Sequence, residues 1–192
     1  MNRVVLSHAC PATPETAWYP YIRQKLTQKG FEMEIPQLPD PEHSRLQSWQ
    51  NAFAPIADEA PANTVLIGHS LGCINVLRYL EQYEGADKFP LVILVAPPAF
   101  DLGYPNLADF FATPLDFSGL KQKAEKVVVL VTPTDRVLQP EPVQHGLKYV
   151  QEAGAKLIVL AEGGHFAPFD NVTELKEIVE EIGLATRAAT LQ

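Results

Sequence analysis

The sequence predicts an α/β fold with about six mostly parallel strands and helices on both faces of the sheet. Runs rich in β-branched apolar residues alternate with helical patterns along the chain, which is typical of βαβ units. The apolar runs are continuous, as in strands that are covered on both faces. With 192 residues, of which 46% are hydrophobic and 20% charged, we expect one globular domain over residues 1–192.

The elements are predicted in order from these patterns. The last helix is expected to begin at a capping box, in which Asn171 is the cap and Glu174 follows three residues later, and to end before Gly183. The small, polar tail 185–192 is expected to fray. Strands are predicted at 3–7, 31–35, 64–67, 91–95, 127–131 and 156–160, and the earlier helices near 15–29, 46–60, 70–83 and 142–153.

The most informative motif is Gly-His-Ser-Leu-Gly at residues 68–72, between the apolar run 64–67 and a helical stretch. A serine between a strand end and a helix start takes a cramped backbone conformation, and glycines two residues away leave room for the strand and helix to approach. The turn would expose the Ser70 hydroxyl at the first N–H groups of the helix, where a negative charge is stabilised. The alternative is a tight turn without a catalytic role.

A serine hydroxyl needs a base and a group that orients the base. Asp135 follows the apolar run 127–131, and His165 follows the run 157–160. Because the carboxyl ends of parallel strands lie along one edge, both side chains can converge on Ser70. The order Ser, Asp, His is that of the α/β-hydrolases. Taken singly, Asp135 could be a turn former and His165 an ordinary loop histidine. All three residues lie at equivalent positions, just after apolar runs, and this joint placement favours a catalytic set.

The other four histidines are weaker candidates for the base. His43 lies in a polar loop and His145 in a predicted surface helix, so we expect both to be solvated. His69 is too close to Ser70 along the chain to approach its hydroxyl at a suitable angle. His8 follows the first strand and is the serious competitor, although the loop there usually supplies a backbone N–H to the oxyanion.

The predicted oxyanion hole consists of the backbone N–H groups of Leu71 and Ala9. The stretch 97–120 is long for a crossover and rich in aromatic residues, and it could form an apolar wall over Ser70, although its aromatics could equally pack on the sheet. No insertion is long enough for a separate lid domain. The predicted pocket residues are His8, Phe100, Phe110, Phe111 and Phe166.

Over roughly residues 3–183, the chain resembles the small α/β-hydrolases of the retinoblastoma-binding protein 9 and YdeN type. The resemblance implies a compact hydrolase fold with Ser70, Asp135 and His165 as the triad. The loop 132–138 departs from the family pattern, which commonly has a second acidic or polar residue and a proline just after the aspartate. The motifs that match are Ser7-His8, the stretches 16–20, 29–31 and 36–41, the helix containing Trp49, and residues 68–72 and 163–166.

The resemblance also implies the strand order 2-1-3-4-5-6. Strand 1 then lies between strands 2 and 3, so the direction of the connections reverses between strands 1 and 3. Ligands bind in the crevice at such a switch point. The loop containing His8 and the turn at Ser70 would flank this crevice.

Charge, segment composition and cysteine usage limit which partners, compartments and cofactors we expect. The net charge is −8 without a basic run, which argues against nucleic acid or anionic membranes as partners. No signal-peptide pattern or stretch of transmembrane length is evident, so we expect a cytoplasmic protein. Cys10 and Cys73 do not form a disulfide framework or a metal-ligand pattern. We predict no metal and no cofactor.

Two functions are consistent with the sequence. The first is a serine hydrolase that acts on small carboxylic esters through an acyl-enzyme, with thioesters and amides as further possible substrates. Its partner would be a small acyl substrate. The second is a protein-binding module of the same fold with little turnover. An intact set of three catalytic residues favours the first.

Overall fold

The computed structural model describes residues 1–190, without the side chains of residues 106, 189 and 190. It contains a six-stranded sheet of order β2-β1-β3-β4-β5-β6, in which all neighbouring strands are parallel. The predicted fold class and the strand order implied by the resemblance are therefore confirmed. The strands are β1 Arg3–Ser7, β2 Glu32–Glu34, β3 Thr64–His69, β4 Leu91–Val95, β5 Val127–Val131 and β6 Lys156–Val159.

Helices cover both faces of the sheet, as the continuous apolar strands predict. In β1, Val4 and Leu6 are buried on the face covered by α1 and α6, whereas Val5 is buried on the face covered by α2 to α5. The two faces thus have separate apolar cores. The helices are α1 Tyr19–Thr27, α2 Leu46–Ala57, α3 Leu71–Gln82, α4 Phe117–Lys123, α5 Pro142–Ala153 and α6 Lys176–Thr190.

The prediction for the last helix was wrong at both ends. Asn171 does not cap it; with φ of 57°, it ends a 3₁₀ turn over Pro168–Asp170, and α6 begins only at Lys176. The predicted fraying of 185–192 is also wrong up to residue 190, because α6 continues to Thr190 and Ala185 is buried against the apolar core. Residues 191 and 192 lie outside the described residues. Helix α4, which begins within the stretch 97–120 and ends at Lys123, was not predicted.

Besides His165, three histidines are buried: His8 directly after β1, His69 at the end of β3 and His145 on α5. His8 donates from Nδ1 to the Ala9 carbonyl over 2.8 Å, and its Nε2 accepts the Leu38 N–H over 3.0 Å. His69 accepts the Tyr19 hydroxyl at Nδ1 over 2.7 Å and donates from Nε2 to the His165 carbonyl over 2.9 Å. Both rings therefore join loops as neutral imidazoles.

His145 is the third buried histidine, and the expectation that it is solvated was wrong. Its ring accepts the Ala99 N–H at Nδ1 over 2.9 Å and packs edge-on against Phe100. Burial lowers the pKa of His8 and His145. Burial and the neighbouring His165 lower the pKa of His69 to about 3. The folded protein thus resists protonation at all three rings.

No helix among residues 1–190 is both long enough and apolar enough to cross a membrane. The helices instead present apolar faces to the sheet: Ile22 and Leu26 of α1 and Ile178 and Ile182 of α6 are fully buried. Their burial accounts for where these helices lie.

The low pKa of His69 predicts acid destabilisation. The unfolded state gains a proton on His69 below about pH 6.5, whereas the folded state does not until about pH 3. The contribution of His69 to the free energy of unfolding is therefore fully present above pH 6.5 and is lost as the pH falls from about 6.5 to about 3. The loss is at most about 1.4 kcal/mol per pH unit. In urea unfolding at pH 7.5 and pH 5, His69→Gln should lose about 1–2 kcal/mol less than the wild type.

His43→Gln is the matched control for this experiment, because the His43 side chain is 75% exposed and forms no buried contact. It should retain the pH dependence of the wild type. An identical pH dependence in His69→Gln and the wild type would show that His69 does not carry this acid sensitivity.

Candidate active site

The turn between β3 and α3 places Ser70 at the edge of the sheet. Ser70 has φ of 54° and ψ of −123°, an unusual conformation for a residue with a side chain. The turn needs glycines on both sides: a Cβ on Gly72 would overlap the Ser7 carbonyl oxygen, and one on Gly68 would press on the Cys73 backbone. The Ser70 N–H donates to the Val95 carbonyl over 2.9 Å. The serine is therefore held with its side chain beyond the strand.

Asp135, His165 and Ser70 form one continuous hydrogen-bonded set. His165 donates from Nδ1 to Oδ2 of Asp135 over 2.7 Å, and the Ser70 hydroxyl donates to Nε2 of His165 over 2.7 Å. Asp135 fixes the proton on Nδ1, so the Nε2 lone pair faces the serine. The structure thus brings together the three residues that the sequence predicts, in a geometry that can remove a proton from Ser70.

The Asp135 carboxylate is almost completely buried, with 1% exposure. Burial alone would raise its pKa. The hydrogen bond and charge of His165, with N–H groups of Leu138 and Val137 donating to Oδ1 over 3.0 and 2.7 Å, outweigh burial and hold the pKa of Asp135 below its ordinary value. Asp135 is therefore ionised at neutral pH and can orient His165.

The loop that carries His165 is held by Asp170, which the sequence pattern did not predict as a site residue. Oδ2 of Asp170 accepts the N–H groups of His165 and Ala167, over 2.9 and 3.1 Å. Gly164 has φ of 55°, and a Cβ there would overlap the Asp170 carboxylate. The sequence signal was an Asp five residues after His165, next to the misassigned Asn171 cap. Asp170 holds the His165 backbone in place.

The two predicted oxyanion donors differ in the structure. Leu71 opens α3 and lines the cavity described below, so its N–H lies in the unpaired first turn of the helix. The prediction for Ala9 was wrong, because the Ala9 N–H donates to the Tyr19 hydroxyl oxygen over 3.0 Å. Cys10, the next residue, also lines the cavity, and its N–H has no hydrogen-bond acceptor within residues 1–190.

A cavity of about 560 Å³, here called the catalytic cavity, opens onto Ser70 and His165. It lies between the loops that follow β1 and β3, which is the switch point of the strand order. Its wall is mostly apolar. The lining includes Cys10, Glu42, Leu102, Leu107 and Phe111.

Four of the predicted pocket residues lie elsewhere. His8, Phe110 and Phe166 are buried to 1% exposure or less; His8 and Phe110 pack edge-on against Trp49, and Phe166 packs in the core under α1 and α6. Phe100 is 49% exposed and lines a different cavity. These aromatics pack in the core or face outwards, so their assignment to the pocket was wrong.

The stretch 97–120 nevertheless forms part of the cavity wall. Phe111 was predicted there and lines the cavity. Leu102, Tyr104 and Leu107 join it and were not predicted as pocket residues. The 3₁₀ helix over Pro105–Phe111 decides which of the adjacent residues Phe110 and Phe111 faces the cavity, and a sequence pattern does not show this.

The two cysteines are bonded through their thiol groups to backbone oxygens. Cys10 donates to the Pro41 carbonyl over 2.8 Å, and Cys73 to the Val95 carbonyl over 3.4 Å. Burial raises the pKa of both thiols, which disfavours the reactive thiolate. In the described part of the chain, no group of three or more His, Cys, Asp or Glu side chains is placed to hold a metal ion.

Comparison with known proteins finds relatives that match most of the chain. YdeN of Bacillus subtilis (strain 168) is 26% identical over 175 residues, covering 91% of this chain and 90% of YdeN. The serine hydrolase RBBP9 of Rattus norvegicus is 27% identical over 168 residues, covering 86% of this chain and 84% of RBBP9. The crystal structure of the B. subtilis ydeN gene product matches with a TM-score of 0.88 and 25% identity, over 97% of this chain and 100% of that one.

The family model described as serine hydrolase matches residues 4–181, which include all three members of the hydrogen-bonded set at the sheet edge. The match therefore extends over nearly the whole fold, from β1 into α6. The chain belongs to the serine hydrolase family.

Proposed function

We propose that this protein hydrolyses small, uncharged carboxylic esters through an acyl-enzyme on Ser70. The observation that carries the proposal is the unbroken set Asp135–His165–Ser70, with both hydrogen bonds at 2.7 Å, facing an apolar cavity. A base in contact with the hydroxyl, and oriented by a buried carboxylate, is what activates a serine for attack.

In the proposed reaction, Ser70 Oγ attacks the ester carbonyl carbon while His165 Nε2 takes the hydroxyl proton. The tetrahedral intermediate collapses when His165 returns that proton to the leaving alcohol oxygen, which breaks the C–O bond and leaves the acyl group on Ser70. A water molecule then loses a proton to His165 and attacks the acyl carbon. The carboxylic acid leaves, and Ser70 recovers its proton.

The carbonyl oxygen carries the negative charge in both intermediates, and two N–H donors are proposed to bind it. Leu71 supplies the N–H at the start of α3. Cys10 takes the place predicted for Ala9: it lines the catalytic cavity and its N–H is unpaired within the described chain, whereas the Ala9 N–H is bonded to Tyr19.

The cavity wall favours an uncharged acyl group. Among the described residues of the lining, none is Lys or Arg, and Glu42 contributes a carboxylate. Leu102, Leu107 and Phe111 offer apolar surface instead. An acyl group with its own carboxylate would be desolvated there without a cationic partner, which is unfavourable. Thioesters and amides present the same carbonyl and are to be compared with esters in one substrate panel.

A fluorophosphonate probe should react with the pure protein at Ser70, because the probe captures a serine that a neighbouring base activates. Ser70→Ala should abolish labelling and keep the circular dichroism spectrum of the wild type. Ser118→Ala is the matched control, since Ser118 lies on α4 and outside the cavity. A folded protein that does not react, as expected of a binding module without turnover, would refute the proposal.

The base and its orienting carboxylate should act as one unit with Ser70. His165→Ala and Asp135→Ala should each lower kcat for p-nitrophenyl butyrate by about 10⁴-fold, and the double variant should lose little more. Asp87→Ala, which removes an exposed carboxylate, should retain normal kcat. Near-normal kcat in Asp135→Ala would mean that a different group orients His165.

The enzyme should discriminate against a charged acyl group. We expect kcat/KM for mono-p-nitrophenyl succinate to be at least about tenfold below that for p-nitrophenyl butyrate, because the cavity offers no cation to the second carboxylate. Glu42→Gln should reduce this difference by removing a like charge. Equal kcat/KM values for the two esters in the wild type would contradict the assignment of an uncharged acyl group.

A further inference from the structure

A second cavity of about 540 Å³ lies next to the catalytic cavity. Phe111 lines both cavities and so lies where they adjoin. Much of the second lining is apolar. Its members include Ala99, Phe100, Ala112, Pro114, Leu115 and Phe117, with the ion pair of Lys148 and Glu152.

The segment that carries Phe111 is not held by the sheet, because it belongs to the 3₁₀ helix that follows β4. The guanidinium of Arg78, on α3, holds it instead. Nε and Nη2 of Arg78 donate to the Phe110 carbonyl over 3.1 and 3.0 Å. The same side chain donates to the Pro114 carbonyl over 3.2 Å and to the Thr113 carbonyl. Arg78 thus binds the backbone on both sides of Phe111.

Burying the Arg78 cation costs free energy. Arg78 is only 4% exposed, and desolvating a guanidinium is unfavourable unless its donors and charge are satisfied. Glu81 supplies the counter-charge, with its oxygens 2.8 and 3.0 Å from Nη1 of Arg78. Glu81 also accepts the Asp116 N–H over 2.9 Å. The planar guanidinium can reach several carbonyls at once, which an ammonium group does less well.

A second anchor holds the same segment at the residue before Phe110. Oδ2 of Asp109 accepts the Leu46 N–H over 2.8 Å, at the start of α2. Arg78 lies eight residues after Ser70 on α3, a distance of about 12 Å along the helix. The nucleophile therefore directly precedes the helix that carries the anchor of the wall.

We propose that Phe111 limits the length of the acyl chain and that Arg78 is a positioning residue that holds Phe111 in place. The inference rests on the proposed function, because it concerns the acyl group bound next to Ser70. When the Phe111 side chain is removed or its backbone is released, the two cavities join. The end of a long, unbranched acyl chain then enters the second cavity, where apolar side chains receive it.

The first test compares kcat/KM for p-nitrophenyl decanoate and p-nitrophenyl butyrate. In Phe111→Ala, the ratio of decanoate to butyrate should rise by about tenfold or more, the scale expected of a few lost or gained apolar contacts. Leu107→Ala is the matched control: Leu107 lines the catalytic cavity alone, so its removal should change the ratio less than about threefold. A ratio unchanged in Phe111→Ala would overturn the inference.

The second test concerns Arg78. Arg78→Met should raise the same ratio, mainly through a lower KM for decanoate, and Arg78→Lys should lie closer to the wild type because it can still donate to carbonyls. If Arg78 acts through Phe111, the Arg78→Met/Phe111→Ala double variant should show no higher ratio than Phe111→Ala. A purely structural role would lower kcat/KM for both esters alike, and a ratio unchanged in both single Arg78 variants would overturn the positioning role.

Fluorophosphonate labelling separates failure of this inference from failure of the proposed function. Phe111→Ala and Arg78→Lys should still label, at whatever rate, and Ser118→Ala, whose residue lies on α4 outside the cavity, should label at the wild-type rate. A wild-type protein that neither labels nor hydrolyses esters would refute the function, and the inference with it. Labelling and butyrate hydrolysis with an unchanged chain-length ratio would refute the inference alone.

Discussion

The site depends on the close approach of α3 to the end of β1. The Gly72 backbone lies against the carbonyl groups of Ser7 and His8, with no space for a side chain between them. This contact draws the start of α3 across the carboxyl edge of the sheet, so the chain must turn sharply after β3. Ser70 takes the strained position in that turn, and strain of this kind persists only where the surrounding structure enforces it. The nucleophile therefore stands beside the loop that follows β1.

A buried chain of hydrogen bonds then connects the loops around Ser70. The Ala9 N–H donates to the Tyr19 oxygen, the Tyr19 hydroxyl donates to His69 Nδ1, and His69 Nε2 donates to the His165 carbonyl. Because the backbone N–H can only donate and the carbonyl can only accept, the direction of every bond is fixed. The chain joins the loop after β1 to the loop that carries the base. It also explains why Ala9 cannot bind an oxyanion.

The sequence predicted those features that depend on chain order and local sterics. Continuous apolar strands indicated a sheet covered on both faces, and Ser70, Asp135 and His165 each followed such a strand. The sequence did not predict which of two adjacent residues faces the cavity, because that depends on tertiary packing. Phe110 packs in the core and Phe111 faces the cavity, because a 3₁₀ helix sets their directions.

The histidine and helix-cap errors have the same physical origin. His145 lies on a helix whose sequence looks solvent-exposed, yet the Ala99 N–H and the ring of Phe100 cover it. Asn171 resembles a helix cap, but its positive φ ends the turn that presents Asp170 to the His165 loop. For His145, a loop distant in sequence takes the place of the solvent that the pattern predicts. For Asn171, a local turn takes the place of the predicted helix start.

The central claim is that Ser70 carries the acyl group during turnover, and peptide-resolved mass spectrometry of an acid-quenched reaction tests it most directly. After rapid mixing with p-nitrophenyl butyrate, one butyryl group should appear on the peptide that contains Ser70 and disappear as the substrate is consumed. Ser70→Ala should show no butyrylated peptide. Butyryl transfer to Cys10, the thiol that lines the same cavity, or turnover by Ser70→Ala at the wild-type rate would contradict the claim.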